Sequence, residues 1–287
     1  MSDPAVGDGT TPPAGSAPGS DPAVCYRHPD REAHIRCVRC ERRICPECMI
    51  PASVGFQCPE CVREGNKSVR QARTVFGGRV TTDPGWVSKV LIGINVVMFI
   101  LQQTVSGFTF RFENIGFYVA DGEYYRLLTA AFLHENVVHI ALNMYALYLF
   151  GPPVEAAIGR VRFAALYLVS AVGGSALSYA FANPITPSLG ASGAVFGLLG
   201  AYLVLNRKLG RDTSGVMALL VINFVFGLIV PRIDWRAHLG GLIAGILCAI
   251  AIAYAPAPRR TAIQIGGIAA VAVAAVAVIV WRTAALT

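Results

Sequence analysis

Two polar residues that could perform acid–base and nucleophilic chemistry stand at the start of two separate apolar runs. Ser192 lies in the sequence Gly-Ala-Ser-Gly (190–193), which opens an apolar segment ending near residue 206. His238 opens another apolar segment, in Ala-His-Leu-Gly-Gly (237–241). A serine hydroxyl needs a base to become a nucleophile, and histidine is the usual one. Unpartnered N–H groups at a helix start could hold an oxyanion. The pair therefore indicates a serine hydrolase site within a membrane.

The composition is that of a membrane protein. Of 287 residues, 54% are hydrophobic and 14% are charged, whereas soluble domains carry about 25% charged residues. The net charge of +7 comes from an N-terminal region and from short loops. This distribution fits membrane topology better than binding of nucleic acid, which is not expected as a partner. Residues 1 to about 20 are polar and lack the apolar core of a signal peptide.

Seven apolar segments have lengths near those needed to cross a bilayer. They cover residues 87–105, 136–153, 161–182, 190–206, 214–231, 237–255 and 261–281. The second and fourth are short, which is expected where a span ends inside the protein beside a cavity.

The basic residues predict the orientation of these spans. Nineteen of the 24 Lys and Arg residues lie on the inner side if the N-terminus is inside, as the positive-inside rule requires. The expected location is a bacterial plasma membrane, with the N-terminus cytoplasmic and the C-terminus outside. Ser192 and His238 then both begin spans that enter from the outer side.

Glycines on two spans predict close packing between them. On one face of each helix, Gly193, Gly197 and Gly200 of the fourth span fall at i, i+4, i+7, and His238, Gly241 and Gly245 of the sixth fall at i, i+3, i+7. Such strips let helix backbones approach closely in lipid. We therefore expect the imidazole of His238 to lie within hydrogen-bonding distance of the Ser192 hydroxyl.

Two polar residues of the second span could bind an oxyanion. His139 and Asn143 are four residues apart and so share one helix face. Polar side chains in membrane helices tend to face the bundle interior or a water-filled cavity. Each could donate a hydrogen bond to developing negative charge. The alternative, an ordinary hydrogen bond between helices, remains open for each.

Four ligand pairs, each with two intervening residues, occupy the N-terminal region. They are Cys25/His28, Cys37/Cys40, Cys45/Cys48 and Cys58/Cys61. Eight such ligands make two closed tetrahedral sites, so we expect two structural zinc ions and none for catalysis. The order of the pairs suggests a cross-brace, in which the first and third pairs share one ion and the second and fourth share the other. His34 is an alternative ligand to His28.

The spacing of this region resembles the B-box type of small zinc domain, over about forty residues. Cysteines in metal sites fit a reducing compartment. A closed site leaves no position for water, so the domain is expected to bind or regulate, with an unidentified cytosolic partner as one option. The predicted organisation is a disordered segment 1–23, a double zinc domain 24–62 and a basic linker 63–86, followed by the membrane region.

The membrane region resembles the rhomboid family of intramembrane serine proteases over roughly residues 87–281. The resemblance rests on Gly-Ala-Ser-Gly (190–193), Ala-His-Leu-Gly-Gly (237–241) and His134-x4-His139-x3-Asn143. It implies that Ser192 is the nucleophile and His238 the general base. It also implies an oxyanion site made by the Ser192 backbone N–H with His139 and Asn143.

The same resemblance assigns further roles. It implies an all-α polytopic fold of seven transmembrane helices, a six-helix core (87–255) plus one extra C-terminal helix (256–287). Tyr125-Arg126 stands where Trp-Arg is frequent in the first outer loop, and Phe196 occupies the place of a ring that stacks on the catalytic imidazole. Glu155 resembles a structural carboxylate near the inner surface.

The implied activity is cleavage of a peptide bond in or near the membrane helix of a single-span protein, with lipid as the surrounding partner. Lateral entry is expected between the second and fifth spans, near Leu142 and residues 224–226. One alternative is a catalytically inactive relative that binds membrane proteins, although such relatives typically lack the serine or the histidine. A transporter would carry polar residues along several spans, and here only the second span does.

Overall fold

The chain divides into two compact units, Met1–Arg70 and Gln71–Thr287. The computed structural model describes residues 23–68, 72–231 and 233–287. The segment predicted to be disordered therefore lies outside the described residues, except for its last residue. Residues 69–71 of the predicted linker also lie outside them.

The smaller unit is built from two antiparallel strand pairs and one helix. Its elements are β1 (Ile35–Arg36), β2 (Arg43–Ile44), β3 (Ile50–Pro51), β4 (Phe56–Gln57) and α1 (Pro59–Ser68). β1 pairs with β2 and β3 pairs with β4. Six cysteines, together with Ala33 and Ile44, form its buried core. So small an apolar core rarely stabilises a fold by itself, which is consistent with the predicted need for metal.

The larger unit is helical, as the sequence predicts. Its helices are α2 (Trp86–Thr104), α3 (Phe108–Phe112), α4 (Gly116–Ala120), α5 (Arg126–Thr129), α6 (Val137–Ile158), α7 (Arg160–Phe181), α8 (Ser192–Lys208), α9 (Ser214–Ile229), α10 (Trp235–Ala253) and α11 (Arg260–Leu286). Each of the seven predicted spans coincides with one long helix, whereas α3, α4 and α5 are short and lie in the loop before α6.

Length and composition qualify five of the described helices to cross a membrane. The other two long helices, α8 and α9, have only 17 and 16 residues. Since most side chains of α8 are buried among its neighbours, it contacts protein more than lipid and need not reach both surfaces.

The second predicted span is longer than expected. The sequence predicts a short helix ending near residue 153, but α6 has 22 residues and continues through Pro152 and Pro153 to Ile158. Proline normally breaks a helix interior. Here Val154, Glu155 and Ile158 are buried against other parts of the unit, so packing of the last turn offsets the loss of two N–H donors.

Helices α7, α8 and α10 form the centre of the bundle and contact one another through glycines. A Cβ at Gly241 would overlap with the backbone of Gly193, and one at Gly245 would overlap with Gly197. On the other side of α10, a Cβ at Gly240 would overlap with the carbonyl oxygen of Gly173. The backbones therefore lie in direct contact, as the glycine spacing predicts.

The residues predicted as a linker (63–86) are partly structured. α1 extends to Ser68, and Phe76 is buried in the core of the larger unit. The carbonyl of Phe76 accepts a hydrogen bond from Gln264 Nε2 at 2.9 Å. The basic composition of the segment suggested a linker, but its one phenylalanine ring is buried in the core of the helical unit.

Candidate active site and metal centres

The side chains of Ser192 and His238 are in contact. The hydroxyl oxygen of Ser192 lies 2.8 Å from Nε2 of His238. Ser192 is the first residue of α8, and His238 stands in the first turn of α10. Asp234 caps α10 by accepting hydrogen bonds from two backbone N–H groups, and the Ser178 hydroxyl donates to the same carboxylate. Helix packing and capping thus bring together the two groups that the sequence singled out.

The imidazole of His238 is held between an aromatic ring and a glycine. Phe196 stacks on it with ring centroids 4.3 Å apart and an interplanar angle of 13°. A Cβ at Gly227 of α9 would lie 3.2 Å from Nδ1. Nδ1 itself has no hydrogen-bond partner among the described residues. Ser192 and His238 therefore form a pair. Among the described residues, no carboxylate is hydrogen-bonded to Nδ1 of the imidazole.

His139 faces the same space as Ser192. A Cβ built on Gly190 would lie 2.9 Å from Nε2 of His139 and 3.5 Å from the Ser192 hydroxyl. The N–H of Glu135 donates to Nδ1 of His139 at 3.4 Å, so the proton of the neutral ring is on Nε2. Because Gly190 has no side chain, there is room for an oxygen atom between the Nε2–H of His139 and the hydroxyl of Ser192.

Asn143 lies one turn further along α6 and also lines this space. Its side-chain amide donates to the carbonyl of His139 at 3.0 Å. This is a hydrogen bond within one helix rather than between helices. An amide carries two N–H donors, so one of them stays available to a ligand.

An open cavity of about 1590 Å³ is lined by these four residues, Ser192, His238, His139 and Asn143. It continues between α6 and α9, where Leu142 and Phe226 line it and have exposed side chains. Phe224, predicted beside the same entrance, instead packs in the cluster with Phe196. Only Leu220 and Gly227 of α9 are buried, so this helix is attached to the bundle by few side chains.

Arg126 anchors the loop before α6. Arg126 is 3% exposed, and its guanidinium donates to the carbonyls of Phe110 at 2.6 Å and Glu113 at 3.0 Å. Glu123 accepts from both Arg126 and the Tyr125 hydroxyl. These side-chain hydrogen bonds lower the pKa of Glu123. Tyr125, which replaces the frequent tryptophan, is exposed and contributes a hydroxyl to this network.

Gln102 is a residue near the site that sequence reasoning missed. Its side chain accepts from the backbone N–H of His134 at 2.9 Å and donates to the carbonyl of the same residue at 3.2 Å. The ring of His134 in turn packs edge-on against His139, with centroids 5.1 Å apart. The sequence did offer one signal for Gln102: it is a polar residue near the end of the first predicted span, and such residues tend to face the interior of the bundle.

Glu155 ties α6 to the first turn of α2. Its two carboxylate oxygens accept from the backbone N–H groups of Val87 and Ser88, each at 3.0 Å, and the Ser88 hydroxyl donates as well. N–H groups of the first turn have no acceptor within their own helix. The carboxylate therefore serves as a cap supplied from another helix.

The predicted ligand pairs of the smaller unit form two clusters that could hold metal ions. One cluster contains Cys25, His28, Cys45 and Cys48, and the other contains Cys37, Cys40, Cys58 and Cys61. Within each, the ligand atoms lie within 4.8 Å of one another. This is the cross-brace arrangement of first with third and second with fourth pair.

The distances within the clusters suit a tetrahedral ion. The His28 nitrogen lies 3.3 Å from the sulfur of Cys45 and 3.5 Å from that of Cys48, and the Cys40 and Cys58 sulfurs are 3.7 Å apart. Zinc–ligand bonds near 2.3 Å imply edges of about 3.6–3.8 Å. The exposed ring of His34 stands beside Glu32 instead.

The chemistry of the thiols also suits metal binding. Burial raises the pKa of Cys25, but hydrogen bonds from backbone N–H groups, including that of Cys45, outweigh it and bring the pKa to about 6. Cys37 behaves in the same way, with backbone hydrogen bonds that include one from Cys58. The thiolate is the metal-binding form, which Cys25 and Cys37 favour, whereas burial and hydrogen bonds to neighbouring thiols raise the pKa of Cys48 to about 11 and that of Cys61 to about 12.

Comparison with known proteins places the membrane region among the rhomboids. The family model of the Rhomboid domain matches residues 121–255. "Rhomboid protease GluP" of Bacillus subtilis is 38% identical over 174 residues, which cover 57% of this chain and 34% of that protein. The rhomboid relative YdcA of the same organism is 34% identical over 167 residues, covering 56% of this chain and 79% of YdcA. "RHOMBOID-like protein 1" of Arabidopsis thaliana is 41% identical over 132 residues, or 44% of this chain and 33% of that protein.

Proposed function

This chain belongs to the rhomboid family, and we propose that it is an intramembrane serine endopeptidase that uses Ser192 as nucleophile and His238 as general base. The observation that carries the proposal is the 2.8 Å separation of the Ser192 hydroxyl from Nε2 of His238 within an apolar bundle. Because the chain spans about a third of the length of the GluP relative, the activity is proposed from the site itself.

The first half of the reaction transfers an acyl group to the serine. His238 Nε2 takes the hydroxyl proton as Ser192 attacks the peptide carbonyl, so that an Oγ–C bond forms. Collapse of the tetrahedral intermediate breaks the C–N bond, and the imidazolium gives its proton to the leaving amine. Water then enters through the cavity and hydrolyses the ester with the same base. Phe196 and Gly227 keep the imidazole in place throughout.

The oxyanion is held by three donors in this proposal. The backbone N–H of Ser192 has no acceptor within α8 because it begins that helix. Nε2 of His139 carries a proton and faces the space beside Gly190. The second amide hydrogen of Asn143 completes the set. Fixed donors of this kind are typically worth about 10²–10³ in rate each.

The substrate we propose is a single-span membrane protein that enters between α6 and α9. The cavity opens between these helices, and α9 is the helix with the fewest buried side chains around the site. The substrate helix must unwind locally because a helical carbonyl is already hydrogen-bonded and shielded. We place the site toward the outer leaflet, with the N-terminus of the chain inside.

Labelling of the purified full chain by a fluorophosphonate probe tests the proposal. Wild type is expected to label, and Ser192→Ala is expected to abolish labelling. Ser188→Ala is the matched control, because Ser188 lines the same cavity but makes no contact with His238, and it should label like wild type. Labelling that persists in Ser192→Ala would remove Ser192 from this role, and no labelling of wild type would favour an inactive binding protein.

We further propose that the two cysteine clusters hold structural zinc ions. Cys25, His28, Cys45 and Cys48 would surround one ion, and Cys37, Cys40, Cys58 and Cys61 the other. Three or four thiolates with at most one imidazole are the ligand set that zinc prefers in closed sites. Elemental analysis of the purified full chain should find two zinc ions per chain. Clearly fewer than two, or another metal at that ratio, would contradict this assignment.

A further inference from the structure

Three consecutive carbonyls in the turn at residues 75–77 each accept a side-chain hydrogen bond. Arg260 donates to the carbonyl of residue 75 at 3.2 Å, Gln264 to that of residue 76 at 2.9 Å, and Arg73 to that of residue 77 at 3.1 Å. Arg260 and Gln264 belong to α11, whereas Arg73 precedes the turn itself. Two guanidinium groups therefore approach the same short turn from different parts of the chain.

A third arginine reaches this turn through Gln264. Arg162 of α7 donates from Nε to the side-chain oxygen of Gln264 at 2.6 Å, and the same amide donates onward to the carbonyl of Phe76. Arg73, Arg162 and Arg260 thus gather around one turn. We refer to these three residues as the arginine cluster.

No carboxylate neutralises the arginine cluster in the part of the chain that the structure describes. None of its members takes part in an ion pair there. Two acidic groups of the same unit are engaged elsewhere: Asp83 pairs with Lys89 at 2.9 Å, and Glu155 caps α2. Three cations gathered without an anion repel one another, and a bound anion would relieve that repulsion.

The surroundings of the arginine cluster are apolar and exposed. Val161, next to Arg162, is 83% exposed, and Ile263, one turn after Arg260, is 39% exposed. The cluster also lies at the end of the bundle opposite the proposed nucleophile, since α7 begins beside Arg162 and the following helix, α8, returns from Ser192. Cationic heads beside lipid-facing apolar side chains match an amphiphilic ligand better than a free ion.

We propose that the arginine cluster binds the phosphate group of an anionic phospholipid, whose acyl chains lie along α7 and α11. Arg73 and Arg260 fall outside the matched family domain at 121–255, whereas Arg162 lies within it, so two of the three arginines come from segments outside that domain. The lipid would connect the turn at residues 75–77 to both helices. It would stabilise the attachment of α11 to the bundle.

Lipid binding to the purified full chain tests the proposal. Native mass spectrometry in detergent, with added phosphatidylglycerol or phosphatidylcholine, reports the affinity of each lipid. Wild type is expected to retain phosphatidylglycerol selectively. Each arginine contributes about five-fold to such an affinity, so Arg73→Gln alone should weaken it about five-fold, and Arg73→Gln/Arg162→Gln/Arg260→Gln should abolish the selectivity.

A matched control carries Arg207→Gln, Lys208→Gln and Arg211→Gln, which remove the same charge from the end of α8 and the residues after it, at the same end of the bundle. This control should keep the selectivity. Equal losses in the two triple variants would overturn the proposal, because net charge alone would then explain binding. Inorganic phosphate that displaces the lipid at millimolar concentration would identify a soluble anion as the ligand instead. Arg73→Gln, which leaves both helices unaltered, keeps the test valid if the triple variant does not fold.

Discussion

The backbone of Gly241 lies directly against the backbone of Gly193, one residue after Ser192. A side chain at Gly241 would overlap with the carbonyl group of Gly193. The distance between the two reacting groups therefore depends on how closely α8 and α10 approach each other. In lipid, this approach is stabilised by packing and not by hydrophobic burial.

Replacing Gly241 should separate the helices. Gly241→Val is expected to destabilise the protein by about 1–3 kcal/mol or more, as overpacking does, and to lower the rate of cleavage because the base moves from the serine. Thermal unfolding in detergent measures the first effect. Gly266→Val is the control, because no atom lies within 4 Å of a Cβ at that position of α11. Equal melting temperatures for both variants would contradict direct backbone contact between α8 and α10.

The space beside Gly190 should be needed for the oxyanion. Its φ of 137° is one that side chains rarely adopt, and an added Cβ would press on the His139 ring. We expect Gly190→Ala to lower kcat by about 10²–10³, the value of one oxyanion donor. Gly107→Ala is the control, since its φ of 75° is also strained but nothing lies within 4 Å. A similar loss in both variants would point to backbone strain alone.

An aromatic ring at residue 196 should matter more than a hydroxyl on it. The ring of Phe196 stacks on His238, and such pairs are worth about 0.5–1.5 kcal/mol. Phe196→Leu is expected to lower kcat by up to about ten-fold, with a small change in KM. Phe196→Tyr should retain most of the activity. A large loss in the tyrosine variant would show that the pocket around the ring excludes polar atoms.

The sequence predicted the residues whose chemistry or spacing is visible along one helix. Ser192 and His238 stand out as polar residues at the start of apolar runs, and the glycines at intervals of four and seven residues indicate which faces meet. The rhomboid family and the helical fold follow from these and are confirmed. The ligand spacing of Cys25 to Cys61 also predicted which pairs come together.

The rest depends on contacts between distant parts of the chain. Gln264 bonds to Phe76, 188 residues away, and no local pattern marks either as a partner of the other. The continuation of α6 beyond Pro153 was missed because the double proline signals a helix end, whereas burial of Glu155 and its capping of α2 stabilise another turn. No feature of the sequence indicated that Gly227 would contact His238.

The cap that Glu155 provides should contribute to stability and not to chemistry. In Glu155→Gln, an NH2 group replaces one carboxylate oxygen, so a single oxygen is left to accept from N–H groups that bond to two oxygens in the wild type. About 1–3 kcal/mol of stability should therefore be lost. Activity of the folded fraction should remain near that of wild type, because the residue lies at the other end of α6 from His139. Asp121→Asn, which changes an exposed carboxyl group of the same unit, should leave the melting temperature nearly unchanged. A fall in kcat without a fall in stability would contradict the capping role.

Metal should leave the smaller unit on acidification. The pKa of Cys25 and of Cys37 is lowered to about 6, so these two thiols keep the metal-binding thiolate form down to about that pH and take up protons below it. Protons then also compete with the metal for the thiolates. A chromogenic zinc indicator added to the full chain should report release of two ions as the pH falls below about 6. Cys248→Ser, which alters the one cysteine outside the clusters, should not change this release, whereas Cys25→Ser should reduce the released zinc to one ion per chain. Retention of two ions by Cys25→Ser would show that this thiol is not a ligand.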